Sequence, residues 1–131
     1  MVNLNSTCGF VKMLGIIGKE KEGSLVERAE LCPKFCDTFS LLSKRWVGLI
    51  WEVLLAGPRR FGEVHDSIPQ ISDRMLAERL RDLEAAGIVT RTVVASVPVQ
   101  VTYALTAKGE AFRPVLHAIH AWADEWVMPD R

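Results

Sequence analysis

A helix with both ends written into the sequence, flanked by a proline turn and two β-branched runs, constrains this chain more than any other feature. Ser72 stands before DRMLAERLRDLEAAG, and serine is a favoured N-cap because its hydroxyl accepts one of the orphan N–H groups of the first turn. Gly87 ends the run, where the backbone must leave through a left-handed conformation. At about 100° per residue, Leu76, Leu80 and Leu83 fall on one stripe that needs a core. Arg74, Glu78 and Arg81 share the opposite face, with Ala77 beside them offering little bulk. That face reads either as a solubilising surface or as a contact surface, and its neighbours decide between the two.

Upstream, RRFGEVHDSIPQIS carries Phe61, Val64 and Ile68 at helical spacing before Pro69. A residue preceding proline is pushed out of the α region, so this helix should end at about Ile68. Pro69 to Ile71 then form a turn into the Ser72 cap. Downstream, IVTRTVV and VQVTYAL alternate with period two around Ala95, Ser96, Val97 and Pro98, the pattern of a hairpin with proline at its tip. Val99, Val101, Tyr103 and Leu105 share one face of the second strand. Two helices joined by a short turn, then a hairpin, suit a protein that lays its second helix in the major groove of DNA. Arg74 and Arg81 are then candidates for base-edge or phosphate contact, since an arginine fork matches guanine O6 and N7. Glu78 lies between them. Gln70 and Ser72 would meet phosphate or the first base, while Arg91 and the tip from Ser96 to Pro98 would hold the flanking backbone.

Net charge gives no help. The chain holds 16 Lys and Arg against 16 Asp and Glu. From Ser43 to Arg91, Lys44, Arg45, Arg59, Arg60, Arg74, Arg79, Arg81 and Arg91 face Glu52, Glu63, Asp66, Asp73, Glu78, Asp82 and Glu84. Non-specific DNA affinity comes largely from cations that release counterions, so placement must carry the case, with Lys44, Arg59, Arg60, Arg74, Arg81 and Arg91 able to converge on one surface. Modest affinity for random DNA and strong salt sensitivity at a specific site are expected.

The motifs CPKF, SKRWVGLIWEVLLAGPRRFGEV, IPQISDRMLAERLRDLEAAGIVTR, VPVQVTYALTAKG and AWADEW, in that order, resemble the HxlR-type winged helix-turn-helix regulators, which are MarR-like in architecture. The resemblance spans about Cys32 to Trp126. It implies a mainly α fold with a small β-hairpin, amino- and carboxy-terminal dimerisation helices, and a homodimeric transcription regulator. It also implies that Cys32 matches the thiol through which some members sense electrophiles or oxidants. The residues add that Cys32 precedes Pro33, a first-turn residue, near Lys34, where a helix dipole favours thiolate. The alternative is that Cys32 and Cys36 are small packing residues. No cysteine follows Cys36, so a bridge to a carboxy-terminal cysteine of a second subunit is excluded, leaving Cys36, Cys8, a second Cys32, a small-molecule thiol or a stable adduct.

At 131 residues the chain fits one compact domain. Residues 1–30 are expected to be an amino-terminal extension of unassigned role, and 31–131 the winged-helix domain. Within it we expect a recognition helix near 72–86, a wing near 88–105 and a carboxy-terminal dimerisation helix near 106–127. The helix near Pro33 has Phe35, Phe39 and Leu42 to bury, and the next has Leu49, Ile50, Val53 and Leu54, with Trp46 and Trp51 as core or subunit-contact residues. Thr106 should cap one long last helix that Pro114 kinks, with Phe112, Leu116, Ile119, Trp122 and Trp126 along one stripe. A second copy is the expected cover for that stripe, which would present two recognition helices about 34–36 Å apart to a pseudo-palindromic operator. Packing within the same subunit is the other account.

Phe10 to Ile17 is too short to span a bilayer, which takes roughly 20 residues, and lacks a cleavage site. A cytoplasmic protein with no membrane partner is expected. His117 and His120 do not amount to a metal site. No phosphate loop, nucleophile elbow or paired Cys–His motif suggests an enzyme, and no cofactor is expected. The partners expected are an operator duplex, a second copy and an electrophile, oxidant or small aromatic effector. The mode expected is repression, with activation open. A winged-helix adaptor for proteins and a regulator switched by a reversibly bound aromatic ligand are the alternatives.

Overall fold

The computed structural model describes residues 30–129. The expectations about Cys8, the Phe10 to Ile17 stretch and nearly all of the amino-terminal extension lie outside the described residues. The chain divides into two compact units between Lys44 and Arg45.

In the first unit, helix α1 spans Pro33–Leu42, with proline in its opening turn and Cys32 at the N-cap position. It buries no residue. Phe35 and Phe39, expected in a core, are 56% and 54% exposed and pack on each other one turn apart, with ring centroids 4.5 Å apart.

The second unit begins with α2, Val47–Leu55, entered through Trp46 in a left-handed conformation at φ 80°. The Arg45 guanidinium stacks over that indole, 4.5 Å from its centroid. Val47, Ile50, Trp51, Leu54 and Leu55 are buried, whereas Leu49, also expected inside, is exposed. Strand β1, Arg59–Arg60, leads into α3, Phe61–Ser67, which ends as Pro69 requires. Helix α4 spans Asp73–Ala85, and the Ser72 hydroxyl accepts the Met75 N–H at 3.1 Å. Leu76, Leu80 and Leu83 are at most 1% exposed. Gly87 exits at φ 74°, a conformation that costs glycine little.

Strands β2, Val89–Val94, and β3, Gln100–Leu105, pair antiparallel from Val89 opposite Leu105 to Val94 opposite Gln100. The hairpin is part of a larger element than expected: β1 pairs with β3, Arg59 opposite Tyr103, giving the order β1-β3-β2. The single long last helix is also corrected. Thr106 caps as expected, accepting the Gly109 N–H at 3.1 Å, but α5 spans only Ala107–Glu110 and α6 starts anew at Arg113, running to Trp126. Pro114 has no N–H for the Glu110 carbonyl and its ring would crowd it, so a break one turn earlier follows. Gly109 fixes the joint. A Cβ there would meet the Ile88 carbonyl oxygen at 2.5 Å, and its own carbonyl accepts the buried Trp51 indole N–H at 3.0 Å. The Thr106 hydroxyl lies 2.6 Å from the Gly87 carbonyl oxygen and 3.1 Å from that of Ile88, while the Lys108 ammonium donates to the Ala86 carbonyl at 2.7 Å.

Candidate nucleic-acid interface

The outward stripe of α4 is available because the inward one is fully used. With three leucines anchored and the first turn capped, Arg74, Glu78 and Arg81 all face solvent. Gln70 and Ser72 are exposed at the N-terminal end of the same helix. Among the described residues, neither Arg74, Arg81 nor Arg91 has a hydrogen-bond or ion-pair partner. The structure brings Arg81 and Arg91 to one place. With Ala77, Glu84, Ala85 and Tyr103 they line a concavity of about 730 Å³ between α4 and the wing. Arg91 is directly opposite Tyr103 in the ladder, so both side chains share a sheet face. The alanines add little bulk to the lining, and the two guanidiniums are its positive groups.

Other expected cations are engaged elsewhere. Arg60 pairs with Glu63 at 3.8 Å, and the Arg59 guanidinium donates to the Pro58 carbonyl at 3.2 Å. Lys44 belongs to the first unit, where it is exposed. Ser96 sits at the far end of the wing, its hydroxyl donating to the Pro98 carbonyl at 2.7 Å.

Sequence reasoning passed over Arg79. Its Nε donates to the Arg45 carbonyl at 3.0 Å and its Nη1 to Asp82 at 2.8 Å, with the Glu78 carboxylate 3.9 Å away. Only 15% of its side chain is exposed. It ties the middle of α4 to the entry of α2. The i, i+3 spacing to Asp82 was the available signal. Tyr103 and Ala85 were also missed as lining residues, although reflecting the hairpin about Val97 sets Tyr103 opposite Arg91.

Cys32 makes no side-chain cap bond at the α1 N-terminus and is disulfide-bonded, while Cys36 is a half-buried free thiol. His120 contacts Glu52 at 3.0 Å and His117 faces solvent. Among the described residues no three ligating side chains gather as a metal site would require, and no helix is long and apolar enough to cross a membrane.

The HxlR-like helix-turn-helix family matches residues 41–131. The chain belongs to that family. The HTH-type transcriptional regulator YodB of Bacillus subtilis strain 168 is 52% identical over 99 residues, covering 76% of this chain and 88% of YodB. The reduced form of B. subtilis YodB superposes with a TM-score of 0.69 at 50% identity, over 78% of this chain and all of that one. YodB is also known in diamide-treated and quinone-bound crystal forms, with TM-scores of 0.63 and 0.66. The redox regulator HypR in its oxidised form gives 0.68 at 33% identity, over 75% of this chain and 99% of HypR. A putative MarR-family regulator from Porphyromonas gingivalis W83 gives 0.67 at 28% identity, over 82% of this chain and all of its own. This member of the HxlR-like family is therefore a DNA-binding transcriptional regulator with a MarR-like winged helix-turn-helix.

Proposed function

We propose that the regulator acts as a homodimeric repressor on a pseudo-palindromic operator, and that thiol chemistry at Cys32 releases it from DNA. The observation that carries the DNA half is the pair of unpartnered guanidiniums, Arg81 and Arg91, facing one concavity between a capped helix and its wing. In this reading Arg74 and Arg81 contact base edges or adjacent phosphates, and Glu78 between them accepts from cytosine N4. Gln70 and Ser72 meet the first base or phosphate. Arg91, Ser96 and Lys44 serve the flanking backbone. Two copies would be joined through the carboxy-terminal helices.

The switch half is supported by the position of Cys32 at the start of α1, by its disulfide, and by the quinone-bound and diamide-treated forms of YodB. With that disulfide reduced, the Cys32 thiolate reacts with an electrophilic quinone by addition, or with diamide to reach a disulfide with a second thiol. The test is a gel shift with DNA upstream of the protein's own gene. Wild type should give a salt-sensitive, sequence-dependent shift that quinone or diamide abolishes. A Cys32→Ser protein that still releases DNA on treatment would sink the switch, and the absence of any sequence-dependent shift would sink the DNA reading. Sedimentation of the free protein tests the dimer.

A further inference from the structure

We propose that Arg79 sets the sequence specificity of α4 without touching DNA: pinned to the Arg45 carbonyl, it fixes the roll of the helix and so aims Arg74, Glu78 and Arg81. This rests on the DNA interface proposed above and names what holds it in register. Hydrophobic burial is non-directional, so Leu76, Leu80 and Leu83 set how deep α4 sits more tightly than how it is rolled. A charge-assisted hydrogen bond is directional. The Arg79 Nε donates to the Arg45 carbonyl at 3.0 Å and its Nη1 to Asp82 at 2.8 Å, a planar fork that lysine cannot copy.

Its place around the helix gives Arg79 leverage. At about 100° per residue it lies roughly 160° from Arg81, with Leu76 and Leu83 within about 60° of it. It therefore grips one flank of the leucine seam, while Ala77, Arg81 and Glu84 line the concavity on the other. A roll of about 10° moves groups ~6 Å from the axis by about 1 Å, more than the ~0.5 Å that a binding constellation tolerates. The anchor itself is held firmly. The Arg45 carbonyl belongs to the peptide leading into Trp46, which is left-handed at φ 80°, a conformation a non-glycine residue keeps only where its surroundings impose it. The Arg45 guanidinium packs over the Trp46 ring, and Val47, next in the chain, is fully buried at the start of α2. Only 15% of the Arg79 side chain is exposed, and the Glu78 carboxylate lies 3.9 Å from its Nη1, so one of the three readers is oriented by the same guanidinium.

The test uses the reduced full-length protein, the duplex footprinted upstream of its own gene and a scrambled duplex of equal length, in anisotropy titrations across salt. Arg79→Met keeps the aliphatic stem and removes both donors. It should lower affinity for the footprinted duplex about tenfold or more, and for the scrambled one less than about twofold, with the slope of log affinity against log salt unchanged. Arg79→Lys keeps the charge without the fork and should fall between wild type and Arg79→Met. Partial unfolding lowers both affinities alike, so their ratio separates positioning from stability. Wild-type discrimination in Arg79→Met overturns the proposal, as does equal loss on both duplexes. A slope flatter by about one would make Arg79 a phosphate contact, and full recovery in Arg79→Lys would assign the effect to charge; either result also overturns it. Arg81→Ala keeps the two readings apart. If it loses the footprinted duplex while Arg79→Met does not, only the positioning role fails; if it binds normally, the interface reading fails.

Discussion

Helices α4 and α6 are close in length and both amphipathic, yet their apolar stripes meet opposite fates. In α4, Leu76, Leu80 and Leu83 are sealed inside the unit. In α6, Leu116 is buried at 6%, and Phe112 at its N-cap packs on Trp51 with centroids 4.4 Å apart, but Ile119, Trp122 and Trp126 are 51%, 60% and 66% exposed. The first helix is complete within one chain, so its open side is polar and free to read a ligand. The second is complete only where it touches α2, and its outer half is an apolar surface of a kind monomers rarely leave bare. We assign DNA contact to the first helix and, as the cover that the second calls for, a second copy.

The largest effect that would sharpen this contrast is Leu80→Ala. It should cost about 2–5 kcal/mol of unfolding free energy by chemical denaturation, as a buried leucine leaves a cavity. Trp122→Ala should leave unfolding of the single chain nearly unchanged but weaken self-association by roughly 2–4 kcal/mol in sedimentation equilibrium. If it destabilises the monomer like Leu80→Ala, the contrast collapses. Arg81→Ala should cost about 1–3 kcal/mol on the specific site and alter stability by less than about 0.5 kcal/mol. Equal loss on random DNA would make Arg81 a phosphate anchor. Smallest, Ser72→Ala should remove about 1 kcal/mol of stability with the loss of its cap, read as a shift in denaturation midpoint.

Much of the helix-turn-helix and its hairpin was legible because their signals are local. The Ser72 cap, the Pro69 stop, the Gly87 exit and the period-two strands each act within a few residues, and all appear where the sequence puts them. The break between α5 and α6 was harder to see. Thr106 and a helix-friendly run after it look continuous, and the interruption depends on Gly109 sitting against Ile88 and on Arg113 reaching the Leu55 carbonyl at 2.9 Å. Those contacts link residues far apart in the chain. The inward turn of Arg79 was hidden for the same reason, since its acceptor is the Arg45 carbonyl. Periodicity marks which residues want a core without saying which get one, as exposed Leu49, Phe35 and Phe39 illustrate.

The joint at Thr106 has a mechanical corollary. Its hydroxyl and the Lys108 ammonium hold the exit of α4, while the indole of Trp51 grips Gly109. Force applied to α6 would thus reach α4 through a short, hydrogen-bonded joint instead of dissipating in a loop. Two such chains clasped by their last helices would set the pitch between their reading heads at this hinge, so a small tilt there would mistune the pair against the helical repeat of DNA without unfolding either one.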